Sequence, residues 1–111
     1  MPPVPKDAMT EPTTPDPALD AAAAETAAAL FKTLANPMRL RLLAALRAGP
    51  LAVGALQDAV DAPQSAVSVH LMRMRGDGLV TCHRSAADAR IMLYALADPR
   101  IGRLLDAALA R

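Results

Sequence analysis

The side chains best suited to polar recognition lie in one stretch, Gln64-Ser65-Ala66-Val67-Ser68-Val69-His70-Leu71-Met72-Arg73-Met74-Arg75. Read as a helix, it sets Val67, Leu71 and Met74 on one face at i, i+4 and i+7. Gln64, Ser65, Ser68, Val69, Met72 and Arg73 fall on the other side. That outer face offers an amide, hydroxyls and a guanidinium, and it carries no acid. Amide and hydroxyl groups bond phosphates and base edges, so the face suits an element lying in a DNA major groove. The same residues also describe an ordinary amphipathic surface helix. The flanking segments have to decide between the two.

Other reactive side chains are few. Cys82 and His83 are adjacent, and neighbours on a strand point to opposite faces, so they chelate poorly. Cys82 is the candidate redox residue, because nearby Arg84 favours the thiolate. It has no resolving thiol in the chain, so a half-buried strand cysteine is the favoured reading over a redox sensor. His70, beside the inward Leu71, reads as a structural hydrogen-bonder. Met38, Met74 and Met92 read as packing, and Met72 as exposed. There is no Gly-rich phosphate loop, no histidine–carboxylate pair at motif spacing and no activated nucleophile. The chain therefore does not read as an enzyme, and no metal or other cofactor is called for.

The elements that must position the stretch follow from the flanks. A length of 111 residues implies one small domain, which commonly gains core by oligomerising. The apolar share is 53%. Much of it is alanine, and Phe31 and Tyr94 are the aromatics; that favours closely packed helices. No apolar run is long enough to span a membrane, and the N-terminus lacks a basic region followed by a long apolar core. With a single cysteine, these features point to the reducing cytoplasm and to no membrane partner. Charge is uneven. Residues 1–29 carry one lysine against five acids, whereas residues 30–111 carry eleven cations against six acids. A basic body is compatible with phosphate binding.

Residues 1–17 hold six prolines among Thr, Asp and Glu. They read as a disordered acidic tail, leaving 18–111 as the domain. Asp20 can cap a first helix over 21–35, with Leu30 and Leu34 on one face and small residues beside them. Asn36-Pro37 restarts the chain into a second helix over 37–48, with Leu40, Leu43, Ala44 and Leu46 inward and Arg39, Arg41 and Arg47 outward. Gly49-Pro50 stops it. A short third helix over 51–60 places Val53, Leu56 and Val60 together. Asp61-Ala62-Pro63 turns tightly into the polar stretch, with Pro63 as its first residue. Two short helices joined by so few residues have helix-turn-helix spacing.

After Gly76-Asp77-Gly78 the period changes. Residues 79–84 and 89–96 read as strands around a turn at 85–88, with Ile91, Leu93 and Ala95 on one face. A hairpin directly after the helical pair is a wing, and its His83, Arg84 and Arg90 make a basic tip; a plain hairpin with exposed arginines is the alternative. Asp98-Pro99 starts a last helix over 99–111, whose wide apolar stripe (Ile101, Leu104, Leu105, Ala108, Leu109) reads as a subunit contact with the Ala-rich first helix.

Three blocks in this order resemble a known family: Thr33-Leu-Ala-Asn-Pro-Met-Arg-Leu-Arg-Leu-Leu43, Gln64-Ser-Ala-Val-Ser-Val-His-Leu71 and Arg75-Gly-Asp-Gly-Leu-Val80. They resemble the ArsR/SmtB winged-helix repressors over about residues 25–111. The resemblance implies a mainly α fold with a small β-hairpin, a winged helix-turn-helix of order α-α-α-α-β-β-α. It implies a homodimer through the first and last helices on a twofold-symmetric DNA operator. It places Gln64, Ser65 and Ser68 at DNA-contacting positions, with Arg84 and Arg90 as backbone contacts; His70 matches a histidine common in the motif. Val69 and Arg73 on the same face complete the candidate set.

Two departures matter. The residue before that histidine is often His or Arg in the family, whereas Val69 bonds no base but can touch a thymine methyl. Metal-sensing members carry a thiol pair on the third helix, and Ala and Gly stand in the matching stretch 51–56 here. A C-terminal metal site would need histidines and carboxylates at helical spacing, and Asp106 is the one acid in the last helix. The expected function is a dimeric, sequence-specific DNA-binding repressor, released by an effector or redox signal other than a metal at those sites. The alternative is a winged-helix dimerisation module that binds a protein rather than DNA.

Overall fold

The computed structural model describes residues 12–110. Helix α1 spans Ala21–Leu34, and Asp20 caps it by accepting from the Ala23 amide at 2.8 Å. Asn36 caps α2, Pro37–Ala45, accepting from the Arg39 amide at 3.0 Å. Proline fits the first turn because its missing N–H has no intrahelical partner there. A 3₁₀ turn, Leu46–Ala48, ends at Gly49, whose φ is 154°. Glycine reaches that region without a steric penalty. Then come β1 (Leu51–Ala52), α3 (Val53–Val60), α4 (Gln64–Gly76), β2 (Val80–Arg84), β3 (Met92–Leu96) and α5 (Pro99–Ala108). Asp98 caps α5 through the Arg100 amide.

The three strands form one antiparallel sheet in the order β1-β3-β2. Residues 51–52, expected at the start of the third helix, are instead the strand β1. Leu51 pairs with Tyr94 and Ala52 with Leu93, so β1 satisfies backbone groups on the free edge of β3. Ile91, Leu93 and Ala95, expected on one face of the hairpin, lie on the side away from the core. Tyr94 and Leu96 pack on the core, because the register pairs Leu96 with the buried Val80. A shift of one residue exchanges the two faces of a strand, and short apolar runs without strict alternation do not fix the parity.

The core joins Leu42, Leu43 and Leu46 of the second helical segment to Leu56 and Val60 of α3, and to Val67, Leu71 and Met74 of α4. Leu79, Val80, Ile101 and Leu105 close it. Leu42, absent from the inward set expected for α2, is wholly buried because α2 meets α1, α3, α4 and α5 and so hides a wide arc. Pro63 is the cap of α4 rather than its first residue, and Arg41 donates Nη1 to the Val60 carbonyl at the C-terminal end of α3. The last helix ends at Ala108, with Leu109 exposed. Gly102 of α5 is buried beneath Arg47, which crosses it to pair with Asp106 at 2.6 Å.

Residues 1–11, and with them most of the acidic tail expected over 1–17, lie outside the described residues, as does Arg111. Residues 12–16 are exposed and carry no helix or strand, and a turn at 17–18 is held by Asp16. Among the described residues no helix is long and apolar enough to cross a membrane.

Candidate nucleic-acid interface

Helix α4 is held from behind and open in front. Val67, Leu71 and Met74 anchor its inner face in the core. Asp61, in the left-handed region at φ 50°, makes the turn that sets α3 against α4. Asp tolerates that conformation better than most residues. At the start of α4 the Pro63 carbonyl accepts the Ala66 and Val67 amides, and no side chain caps the helix. The first-turn amides of Gln64 and Ser65 therefore have no protein partner among the described residues. Amides at a helix N-terminus favour an anion, such as a phosphate.

The outer face has the expected composition. Gln64, Ser65, Val69, Met72 and Arg73 are exposed, and Ser68 is half-buried. Val69 and Met72 remain 66% and 76% exposed, which leaves an apolar step between the polar first turn and Arg73. Arg73 is not free. Its Nε donates to Asp77 Oδ2 at 2.9 Å, and the same oxygen accepts the Thr33 hydroxyl at 2.5 Å. The Thr33 hydroxyl, then Arg73, hold the Asp77 carboxyl below its ordinary range. Sequence reasoning missed this contact between α1 and the end of α4. Its one signal was an acid between two glycines at a helix C-terminus, where the dipole disfavours it.

The wing arginines are engaged within the wing. Arg84 Nη1 donates to the Ala89 carbonyl at 2.8 Å, and Arg90 pairs with Asp88 at 2.9 Å. Ser85 and Asp88 organise the turn, with Ser85 Oγ accepting the Ala87 and Asp88 amides. The Arg90 side chain is still 89% exposed, so this pair is open to solvent. Cys82 is half-buried and His83 exposed, on opposite faces. Cys82 lies across from Tyr94, whose hydroxyl is raised above its usual value by burial and then by a hydrogen bond with Cys82. The hydrogen bond expected of His70 is not seen at Nδ1, which is buried without a partner among the described residues. Among the described residues no three His, Cys, Asp or Glu side chains cluster as metal ligands.

Residues 34–83 match a family profile described as a helix-turn-helix domain. The HTH-type transcriptional regulator NmtR of Mycobacterium tuberculosis is 41% identical over 95 residues, which cover 86% of this chain and 77% of that protein. The chain belongs to the ArsR/SmtB family. Its members are winged helix-turn-helix transcriptional regulators, so the α3–α4 pair and the β2–β3 hairpin are this chain's helix-turn-helix and wing. The biofilm growth-associated repressor of Agrobacterium fabrum is 38% identical over 96 residues, covering 86% of this chain and 79% of that one. The solution structure of the homodimeric winged helix-turn-helix DNA-binding domain of Mb0332 from Mycobacterium bovis superposes with a TM-score of 0.69. Sequence identity is 29%, with 81% of each chain covered. Within this ArsR/SmtB frame β1 is the third strand that seats the wing on the helices.

Proposed function

We propose that this chain is a homodimeric, sequence-specific repressor that works in the cytoplasm by occupying a twofold DNA operator. The observation that carries the reading is the outer face of α4: an uncapped N-terminus, exposed Gln64 and Ser65, a half-buried Ser68 and no acid before Asp77. Gln64, Ser65 and Ser68 bond phosphates and base edges, Val69 and Met72 meet thymine methyls, and Arg73 takes a phosphate. Arg84 and Arg90 hold the flanking backbone. A homodimer is supported by the Mb0332 domain and by the groove that α1 leaves beside α5, whose apolar wall includes Ala23, Ala27, Leu30 and Ile101. Phe31 and Leu109, on α1 and at the end of α5, stand exposed at 57% and 46%. A second copy covering that groove presents two α4 helices about 34 Å apart, one duplex turn.

Release follows when an effector favours a dimer in which that spacing is wrong. Ala and Gly in place of thiols at 51–56 argue for an effector other than a metal there. Footprinting on the DNA upstream of the chain's own gene tests the reading. Two protected half-sites about 10 base pairs apart support it; uniform or absent protection contradicts it. The second reading, a dimeric module that binds a protein, is favoured by the exposed Val69 and Met72 and predicts no footprint.

A further inference from the structure

We propose that Asp77 is a positioning residue for DNA binding. Bonded to Thr33 of α1, it fixes the Arg73 guanidinium on the outer face of α4, so that the placement of α1 sets how Arg73 meets a backbone phosphate. This rests on reading α4 as the DNA-facing helix.

Asp77 closes α4, its amide donating to the Arg73 and Arg75 carbonyls. A carboxylate there lies at the negative end of the helix dipole, so it needs local compensation. Two donors supply it at one oxygen, Thr33 Oγ1 at 2.5 Å and Arg73 Nε at 2.9 Å. Thr33 is 2% exposed, the one buried polar residue among the described residues. A buried hydroxyl without an acceptor is costly, and Asp77 is the acceptor it has. Thr33 is also held from α2, where Arg39 Nε donates to its carbonyl at 2.7 Å. The ends of α1, α2 and α4 thus meet around this acid.

The arrangement suits a brace better than a quench. Asp77 takes the Nε of Arg73 and leaves the terminal Nη groups unbonded among the described residues, on a side chain that is half exposed. A guanidinium held by Nε presents its other N–H groups in a fixed plane, which lowers the entropy lost on meeting a phosphate. Thr33 and Arg73 both line the groove between α1 and α5, so whatever fills that groove acts on both ends of the relay.

The test is a double-mutant cycle on the full chain, read by fluorescence anisotropy with a duplex that the wild-type protein selects from a random-sequence pool. Thr33→Val is expected to weaken binding about three- to tenfold. Thr33→Ser restores it, and in an Arg73→Ala background Thr33→Val has no further effect. Asp77→Ala, a change at a more exposed position, also weakens binding although it removes a negative charge. Thr33→Val acting equally with and without Arg73 overturns the proposal, as does tighter binding by Asp77→Ala. If no duplex is selected, the DNA reading falls and this inference with it; a selected duplex with no coupling removes this inference alone.

Discussion

Val69 and Met72 are apolar side chains left in water on a helix that buries three other apolar residues completely. On a DNA-reading face their natural partner is the thymine methyl, the one apolar group in the major groove. A buried methyl is worth roughly 0.8 kcal/mol, about fourfold in affinity. Replacing operator thymines under α4 one at a time by deoxyuridine is therefore expected to reveal at least one position with that loss. Val69→Ala should erase it there; no thymine-to-uridine effect anywhere would mean that these side chains read no base. Asp77 makes a second prediction at this scale. Its folded-state carboxyl titrates below the ordinary 3.8. The stability it contributes is thus full above 3.8 and is lost as pH falls through the lower folded value. Urea unfolding of Asp77→Asn should show a shallower loss of stability than wild type across that acid range, and parallel curves would refute the contribution.

At the scale of elements, caps and crossings set what can be changed. Asn36 is the side-chain cap of α2, so Asn36→Ala should cost about 1 kcal/mol in denaturant unfolding. Gly102 illustrates the opposite case. A Cβ there would sit 2.8 Å from the Arg47 guanidinium, which is the far end of a flexible side chain. The Arg47 and Asp106 side chains are 41% and 33% exposed. Pairs so open to water contribute little. Glycine inside a helix costs roughly 0.5–1 kcal/mol relative to alanine. Gly102→Ala should therefore displace Arg47 and leave the melting temperature level or slightly higher; a marked drop would show that the crossing holds α5 in place.

Helix starts were legible in the residues because Asp20, Asn36-Pro37 and Asp98-Pro99 are local signals that act through local hydrogen bonds. The inner face of α4 was legible because Val67, Leu71 and Met74 keep helical spacing. The strand at Leu51–Ala52 was not, since it exists through pairing with residues far along the chain, Leu93 and Tyr94. Which face of β3 meets the core was not legible for the same reason: Tyr94 and Leu96 face it through a register set across the hairpin. In the candidate site the exposed polar face could be read from residue types. The Thr33–Asp77–Arg73 contact spans 44 residues and needed the tertiary fold to appear.

At the scale of the whole molecule, charge and shape act together. Residues 30–111 are basic while residues 1–29 are acidic, so attraction to a polyanion belongs to residues 30–111 rather than to the N-terminal stretch. A phosphate contact releases counterions, and each contributes about 0.9 to the slope of log affinity against log salt. A dimer that uses Arg73, Arg84 and Arg90 from both subunits should show a slope of roughly −5. The most direct measurement is anisotropy of the purified protein on DNA upstream of its own gene, in a salt series, beside a Gln64→Ala/Ser68→Ala variant. Tight, selective binding with a steep salt slope, lost in the variant, is the predicted result. Weak binding to every duplex alike, unchanged in the variant, would contradict the assignment of α4 as the reading helix.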